Sequence, residues 1–204
     1  MKVALLHDYL GEFGGAERVL LALTEIWPDA PIYTSFTRRG PAWERFQGKD
    51  IRVSWAHYIP GFSTFLHSPL RFLAPLIWGS FVRRLADYDV VISSASWYVT
   101  KGFGVRGTNR KRPLEICYCH TPPRYLYGYP TSVNFQRFWP VRIYAGIVNH
   151  FMRMYDFNSA QRVDYFIANS KNVAGRIKKF YQRDSVVIYP PIEISNLKFL
   201  PAQA

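Results

Sequence analysis

Apolar residues along the chain follow two alternating rhythms. Short unbroken runs occur at Val3–Leu6 (VALL), Pro31–Phe36 (PIYTSF), Tyr88–Ser94 (YDVVISS), Leu114–His120 (LEICYCH), Val163–Ser170 (VDYFIANS) and Ser185–Pro191 (SVVIYPP), with a weaker one at Ile51–Trp55 (IRVSW). Runs of this length without polar alternation predict strands covered on both faces. Between them the spacing becomes helical. Ala16, Val19, Leu20 and Leu23 fall at i, i+3, i+4 and i+7, and Pro28 stops that helix. Val141, Tyr144, Ala145, Val148, Met152 and Tyr155 form a second stripe, and KNVAGRIKKFY follows Ser170. The stretch from His57 to Ala86 is aromatic, partly helical and broken by prolines. Strands alternating with helices predict an α/β fold: a single Rossmann-like, doubly wound parallel sheet with helices on both faces, over residues 1–190. Residues 191–204 read as the start of an interdomain linker.

Composition narrows the partners. Twenty-six Lys and Arg against 14 Asp and Glu give a formal charge of +12. That excess suits phosphate-bearing partners: nucleotides, nucleic acid or an anionic membrane. No nucleic-acid module or aromatic RNP pattern occurs, so nucleic acid is set aside. The basic, turn-rich stretch Gly104–Pro113 is the one loop of its kind. Cys117 and Cys119, at i and i+2 of a strand, share a face and are poorly placed to bridge each other, which favours a reducing compartment. The N-terminus lacks a signal peptide's length and cleavage site. The stretch Phe62–Phe81 carries His67, Pro69, Arg71, Pro75 and Gly79, too many interruptions for a membrane span.

In such sheets ligands bind beyond the carboxyl ends of the strands. This rule selects Asp8, Gly11, Gly14 and Gly15, then Ser94 to Lys101, then His120 to Arg124, then Asn169 and Ser170. Gly11-x-x-Gly14-Gly15 lies between the first strand and first helix. Free N–H groups at that helix start favour an anion, and glycine permits close approach. The pattern is neither the dinucleotide fingerprint nor a Walker loop, and a plain strand–helix turn remains the alternative. In CYCHTPPRYLY, His120 ends a strand before paired prolines. It can bond a substrate hydroxyl, or simply cap a rigid turn, while Arg124 can reach phosphate. Asn169 or Ser170 can cap the helix beginning near Lys171. Cys-x-Cys-His is too cramped for a zinc site, and no metal site is expected.

HDYLGEFGGAERVL, DVVISSASWYVTKG, CYCHTPPRYLY, VDYFIANSKNVAGRIKKFY and VVIYPPIE occur in that order over nearly the whole chain. Together they resemble the N-terminal, acceptor-side domain of a bacterial family-four retaining glycosyltransferase, one half of a GT-B fold. The resemblance implies transfer of a sugar from a nucleoside-diphosphate sugar to a saccharide or lipid-linked acceptor, without metal or other cofactor. It implies that Gly14 and Gly15 approach the donor diphosphate and that His120 is catalytic, beside the transferred sugar. Lys101 and Arg124 are implied as substrate contacts. The family continues into a donor-binding C-terminal domain that these 204 residues do not contain. The isolated chain is therefore expected to be inactive without such a partner. The alternative is a non-catalytic module binding phosphate, membrane or protein. The expected location is cytoplasmic, with two readings of the aromatic, basic stretches Phe62–Arg84 and Arg137–Arg153: peripheral contact to the inner membrane face, or aromatics that fill the core between helices and sheet with the arginines solvated. The named aromatics there are Phe65, Phe72, Trp78, Phe81, Phe138 and Trp139, and the cations Arg71, Arg83, Arg84, Arg142 and Arg153.

Overall fold

The computed structural model describes residues 1–105, 112–130 and 138–192. Most of the Gly104–Pro113 loop, Arg137 and most of the proposed linker lie outside the described residues. Seven strands form one parallel sheet: β1 (Val3–His7), β2 (Ile32–Thr34), β3 (Ile51–Val53), β4 (Val90–Ala95), β5 (Leu114–Cys119), β6 (Tyr165–Ala168) and β7 (Val186–Val187). Their order is β3-β2-β1-β4-β5-β6-β7. The order reverses between β1 and β4, the kind of switch point that opens a crevice at the strand ends. The register brings those ends level: His7 pairs with Ser94, and Ala95 with Cys119.

Helices cover both faces because alternate strand residues point opposite ways. Val3 and Leu5 face α1 (Gly15–Ile26), packing with Leu20, Ile32 and Phe46. Ala4 and Leu6 face the other side, with Trp78, Phe81 and Met152. Those three come from α3 (Ala74–Gly79), the turn before α4 (Val82–Leu85), and α5 (Trp139–Arg162). Short α2 (Pro41–Arg45) lies between β2 and β3. Cys117 and Cys119 are free and buried on one face, against Ala160 and the residues Val173, Ile177 and Tyr181 of α6 (Lys171–Tyr181).

The strands are shorter than the apolar runs predict. β2 stops at Thr34 because the next residues turn away to tie loops: Ser54 Oγ donates to Ser35 O at 2.6 Å, and Ser35 Oγ donates to the Asp8 carbonyl. The proline-broken stretch resolves into helical turns at Trp55–Tyr58, Phe62–Leu66 and Arg71–Leu73 before α3 and α4.

α5 is longer than its predicted stripe. The expected face packs inward, with Met152 buried and Tyr144, Val148 and Tyr155 half-buried. A second apolar stripe, Trp139, Ile143, Ile147, Phe151 and Met154, is exposed. Among the described residues no helix is long and apolar enough to cross a membrane.

Candidate functional site

The site begins at the carboxyl ends of β1, β4 and β5. α1 starts at Gly15 with Gly14 as its extended N-cap. Glycine cannot cap with a side chain, so Glu17 reaches back three residues, and its Oε2 accepts the Gly14 N–H at 2.8 Å. The Gly14 amide is thus occupied. A Cβ built on Gly14 would meet only Glu17 within 4 Å, and one on Gly15 would meet nothing. Neither glycine has the positive φ that would require glycine. The fold leaves the space over Gly15 open.

Glu17 also begins a buried chain. Its Oε1 lies 3.3 Å from His7 Nε2, His7 Nδ1 lies 3.1 Å from Ser94 Oγ, and Ser94 Oγ lies 2.9 Å from His120 Nε2. His120 follows β5 directly. Its N–H donates to Ala95 O at 2.8 Å, and its carbonyl accepts Asn169 Nδ2 at 3.0 Å. Burial, and then the neighbouring His7, push the His120 imidazole down to about 3, so it is neutral at physiological pH. Burial opposes the charge on Glu17, yet hydrogen bonding and attraction from His7, together with the Gly14 N–H, hold its carboxyl below the usual range.

The other predicted residues separate. Arg124 is exposed in the turn Arg124–Leu126 just past His120; its carbonyl accepts the Tyr127 and Tyr129 N–H groups, while its guanidinium has no hydrogen-bond partner among the described residues. Lys101 is a correction. Its ammonium is buried, ion-paired with Asp156 and 4.8 Å from the Tyr181 ring centroid, so no substrate can reach it. It goes inward because Gly102, at φ +66°, lets the loop press on α5: a Cβ there would stand 2.0 Å from Ser159 O.

Asp8 is a loop anchor rather than a site group. Its Oδ2 accepts the N–H groups of Ser96, Trp97 and Tyr98, and Oδ1 accepts Thr100 Oγ1–H. Gly11 faces the Arg38 guanidinium, 3.3 Å from a built Cβ. Ser170 caps α6 by accepting Val173 N–H at 3.3 Å, leaving Asn169 to tether His120.

The sequence reading missed His7 and Glu17, and selected Ser94 only as the start of a strand-end segment. It also missed Arg176, which donates to Thr121 Oγ1 at 3.1 Å beside His120. Glu17 had a signal: an acid three residues after a helix N-cap. The others are joined only by folding.

A concavity of about 490 Å³ opens at the opposite, amino-terminal edge of the sheet, lined by Lys2, Trp27, Asp29, Asp50, Arg52 and Asp87. Its three carboxylates are matched by Lys2, Arg52 and the N-terminal ammonium, and the C-terminal end of α1 disfavours a phosphate there. The carboxyl edge has the opposite polarity, with Gly15 and Ala16 N–H groups at a helix start and Arg124 nearby in the chain.

The sequence model of Glycosyltransferase Family 4 matches residues 13–196. No curated protein matches the chain. Among solved structures, that of Anabaena Alr3699/HepE in complex with UDP is similar at a TM-score of 0.58 and 18% identity, covering 99% of this chain and 47% of that one. The same Anabaena protein with UDP and glucose gives 0.57 at 19% identity, covering 99% and 48%. Its complex with UDP-glucose gives 0.55 at 18%, covering 99% and 47%. The chain spans about half the length of the solved structures it matches, and at this identity the likeness establishes the fold.

Proposed function

The chain belongs to glycosyltransferase family 4, and on that premise we propose that it is the acceptor-side half of an enzyme that moves a sugar from a nucleoside-diphosphate sugar to a saccharide or lipid-linked acceptor. The observation that carries this reading is the meeting, at the reversal of strand order, of the uncovered Gly15 at a helix start with a neutral histidine linked through Ser94, His7 and Glu17 to the amide of the adjacent Gly14. Gly15 and Ala16 N–H groups face the donor diphosphate, with Gly14 shaping the approach. His120 holds the transferred sugar in place, and Arg124 meets an anionic part of the substrate. Residues 1–190 act as one unit, and residues 191–204 lead toward a donor-binding domain that completes the cleft. We read transfer as retaining and independent of metal. The solved relatives hold UDP and UDP-glucose, which makes UDP-sugars the first donors to test.

The test joins this chain to a donor-binding half and measures transfer from radiolabelled nucleotide sugars to saccharides and membrane lipid extracts. Gly15→Val is expected to lose about tenfold or more in transfer, since about 1.4 kcal/mol of lost contact is a factor of ten, with an unchanged urea midpoint. Full transfer by the variant at equal stability, or no transfer from any nucleotide sugar, overturns the reading.

We further propose that a lipid-linked acceptor is met at an anionic membrane surface. The exposed α5 stripe supports this, flanked by Arg142 and Arg153 along the same helix, with Phe65, Phe72, Leu76 and Phe138 also exposed. No Asp or Glu occurs between residues 51 and 86 or between 116 and 155. Trp78 and Phe81 are corrections to the predicted set: at 1% and 2% exposure they are core and cannot insert. Arg71 is held between the rings of Tyr125 and Tyr144 and bonded to Asn149. Each arginine near an anionic surface contributes about 1 kcal/mol. Co-sedimentation should therefore rise with the anionic fraction of vesicles and fall in Ile147→Asp. Binding that ignores lipid charge counts against the proposal.

A further inference from the structure

The chain Glu17–His7–Ser94–His120 has a chemical direction, because each member accepts or donates in a fixed way. Glu17, ionised, accepts only. It takes the Gly14 N–H on one oxygen, so the other oxygen, 3.3 Å from His7 Nε2, requires a proton on that nitrogen. In a neutral His7 the proton on Nε2 leaves Nδ1 as a bare acceptor. The Ser94 hydroxyl, 3.1 Å away, must then donate to it. With its one proton spent, Ser94 Oγ can only accept from His120 Nε2 at 2.9 Å. That places the His120 proton on Nε2 and a lone pair on Nδ1. Nδ1 has no hydrogen-bond partner among the described residues.

We infer that His7, in its neutral form, and Ser94, anchored by Glu17, are positioning residues that set the tautomer of His120, so that its unpartnered Nδ1 is a hydrogen-bond acceptor and not a donor. A ligand hydroxyl at this point must give its proton to the bond, while His120 does not donate to a phosphate or carbonyl oxygen there. The name of the ligand rests on the sugar-transfer reading; the tautomer does not. A charged His7 reverses the assignment. An imidazolium at His7 donates from both nitrogens, turns the Ser94 hydroxyl toward His120, and moves the His120 proton to Nδ1. The charged or titratable groups around His7 are Glu17 from α1, Asp8 just after β1, and His120 after β5. Asp8 is committed to the 96–100 turn, so Glu17 sets the direction.

The same chain ties two parts of the site together. Glu17 holds the amide at the glycine turn with one oxygen and orients His120, through two groups, with the other. Loss of its charge therefore disturbs both ends, whereas loss of Ser94 disturbs the histidine end alone.

The experiment is long-range proton–nitrogen NMR of the chain with ¹⁵N-labelled histidine at neutral pH, with His120 assigned by substitution. His120 should show a protonated Nε2 and a bare Nδ1. In Ser94→Ala that exclusivity should relax toward the tautomer mixture of a solvent-exposed histidine, while the Gly14 and Gly15 amide shifts stay in place. In Glu17→Gln, whose amide both donates and accepts, His120 should relax and the Gly14 amide should move. A protonated Nδ1 in the wild-type chain overturns the proposal. So does a His120 pattern untouched by either variant. If Ser94→Ala does not fold, the Glu17→Gln and wild-type spectra decide. These spectra need no sugar donor, so a failure of the transfer assay and a failure of the tautomer assignment are read separately.

Discussion

Lys101→Met is the sharpest test of how the strand-end loop is built. Lys101 and Asp156 are both within 2% of full burial, and Tyr127 Oη donates to Asp156 Oδ2 at 2.7 Å. Burial opposes the Lys101 charge, but Asp156 more than compensates and holds its pKa above the ordinary lysine value. A raised lysine contributes fully below that value and is lost only as pH rises through the alkaline range, so at neutral pH the whole effect is present. Methionine fills the stem's volume but leaves Asp156 buried with one hydrogen-bond donor and no counter-charge. Breaking a buried pair in this way costs about 3–5 kcal/mol. In a chain of this size each kcal/mol moves Tm by roughly 2–4 °C, so a fall of about 6–20 °C is expected. Urea unfolding of Lys101→Met, Asp156→Asn and the double variant closes a thermodynamic cycle. The double variant should recover much of the loss, because it removes the orphaned charge. A single-variant midpoint equal to wild type, or a coupling below about 0.5 kcal/mol, would show that the pair does not hold the loop. A residue that touched substrate would instead lose activity with its stability intact.

Gly102→Ala should be the most damaging glycine substitution in the described core, because its Cβ would collide with the Ser159 backbone at a left-handed φ; a wild-type unfolding midpoint would refute this. Gly15→Ala should unfold within about 0.5 kcal/mol of wild type or slightly later, since its Cβ meets open space and alanine favours the helix. Glu115, pushed up to about 7 by burial, contributes below the ordinary glutamate value and loses that contribution as pH rises through 7. Glu115→Gln should therefore gain on wild type by on the order of 2–3 kcal/mol between pH 5 and pH 8, read by urea midpoints. His120 runs the opposite way: its depressed pKa gives stability above the ordinary histidine value that is lost as pH falls from there toward 3, so His120→Gln should unfold with a flatter acid limb.

The sheet was legible because its strands are covered on both sides, and continuous apolar runs have few other uses. Strand ends were not, because residues such as Ser35 and Ser54 leave the ladder to bond neighbouring loops, and hydropathy does not register that. Lys101 was misread for a physical reason. A cation after a strand looks like a surface group until its partner is known. The partner did carry a signal, since Asp156 falls four residues after Met152, on the inward stripe of α5. A carboxylate on a core stripe needs a buried counter-charge or several donors. The aromatic stretch before β4 failed in the other direction: Trp78 and Phe81 pack inward while Phe65 and Phe72 stay out, a choice made by helical turns too short to show a period.

The hydrogen-bond chain lies beyond any local reading. Its links join positions 10, 87 and 26 residues apart, and each residue type has ordinary uses alone. The glycines show the same limit more simply. Gly102 and Gly15 are the same letter, one in the loop after β4 and the other the first residue of α1. At Gly102 the fold demands the missing side chain, because α5 occupies its place. At Gly15 nothing in the described fold occupies it, and the backbone angles are open to any residue. A glycine retained where packing and conformation both permit alanine gives up helix stability without return from the fold. If Gly15→Ala folds as well as wild type, as its open surroundings require, the reason for glycine is not found in the packing of the described residues. That is the argument for placing a ligand over the helix start, and it stands apart from the resemblance that first pointed there.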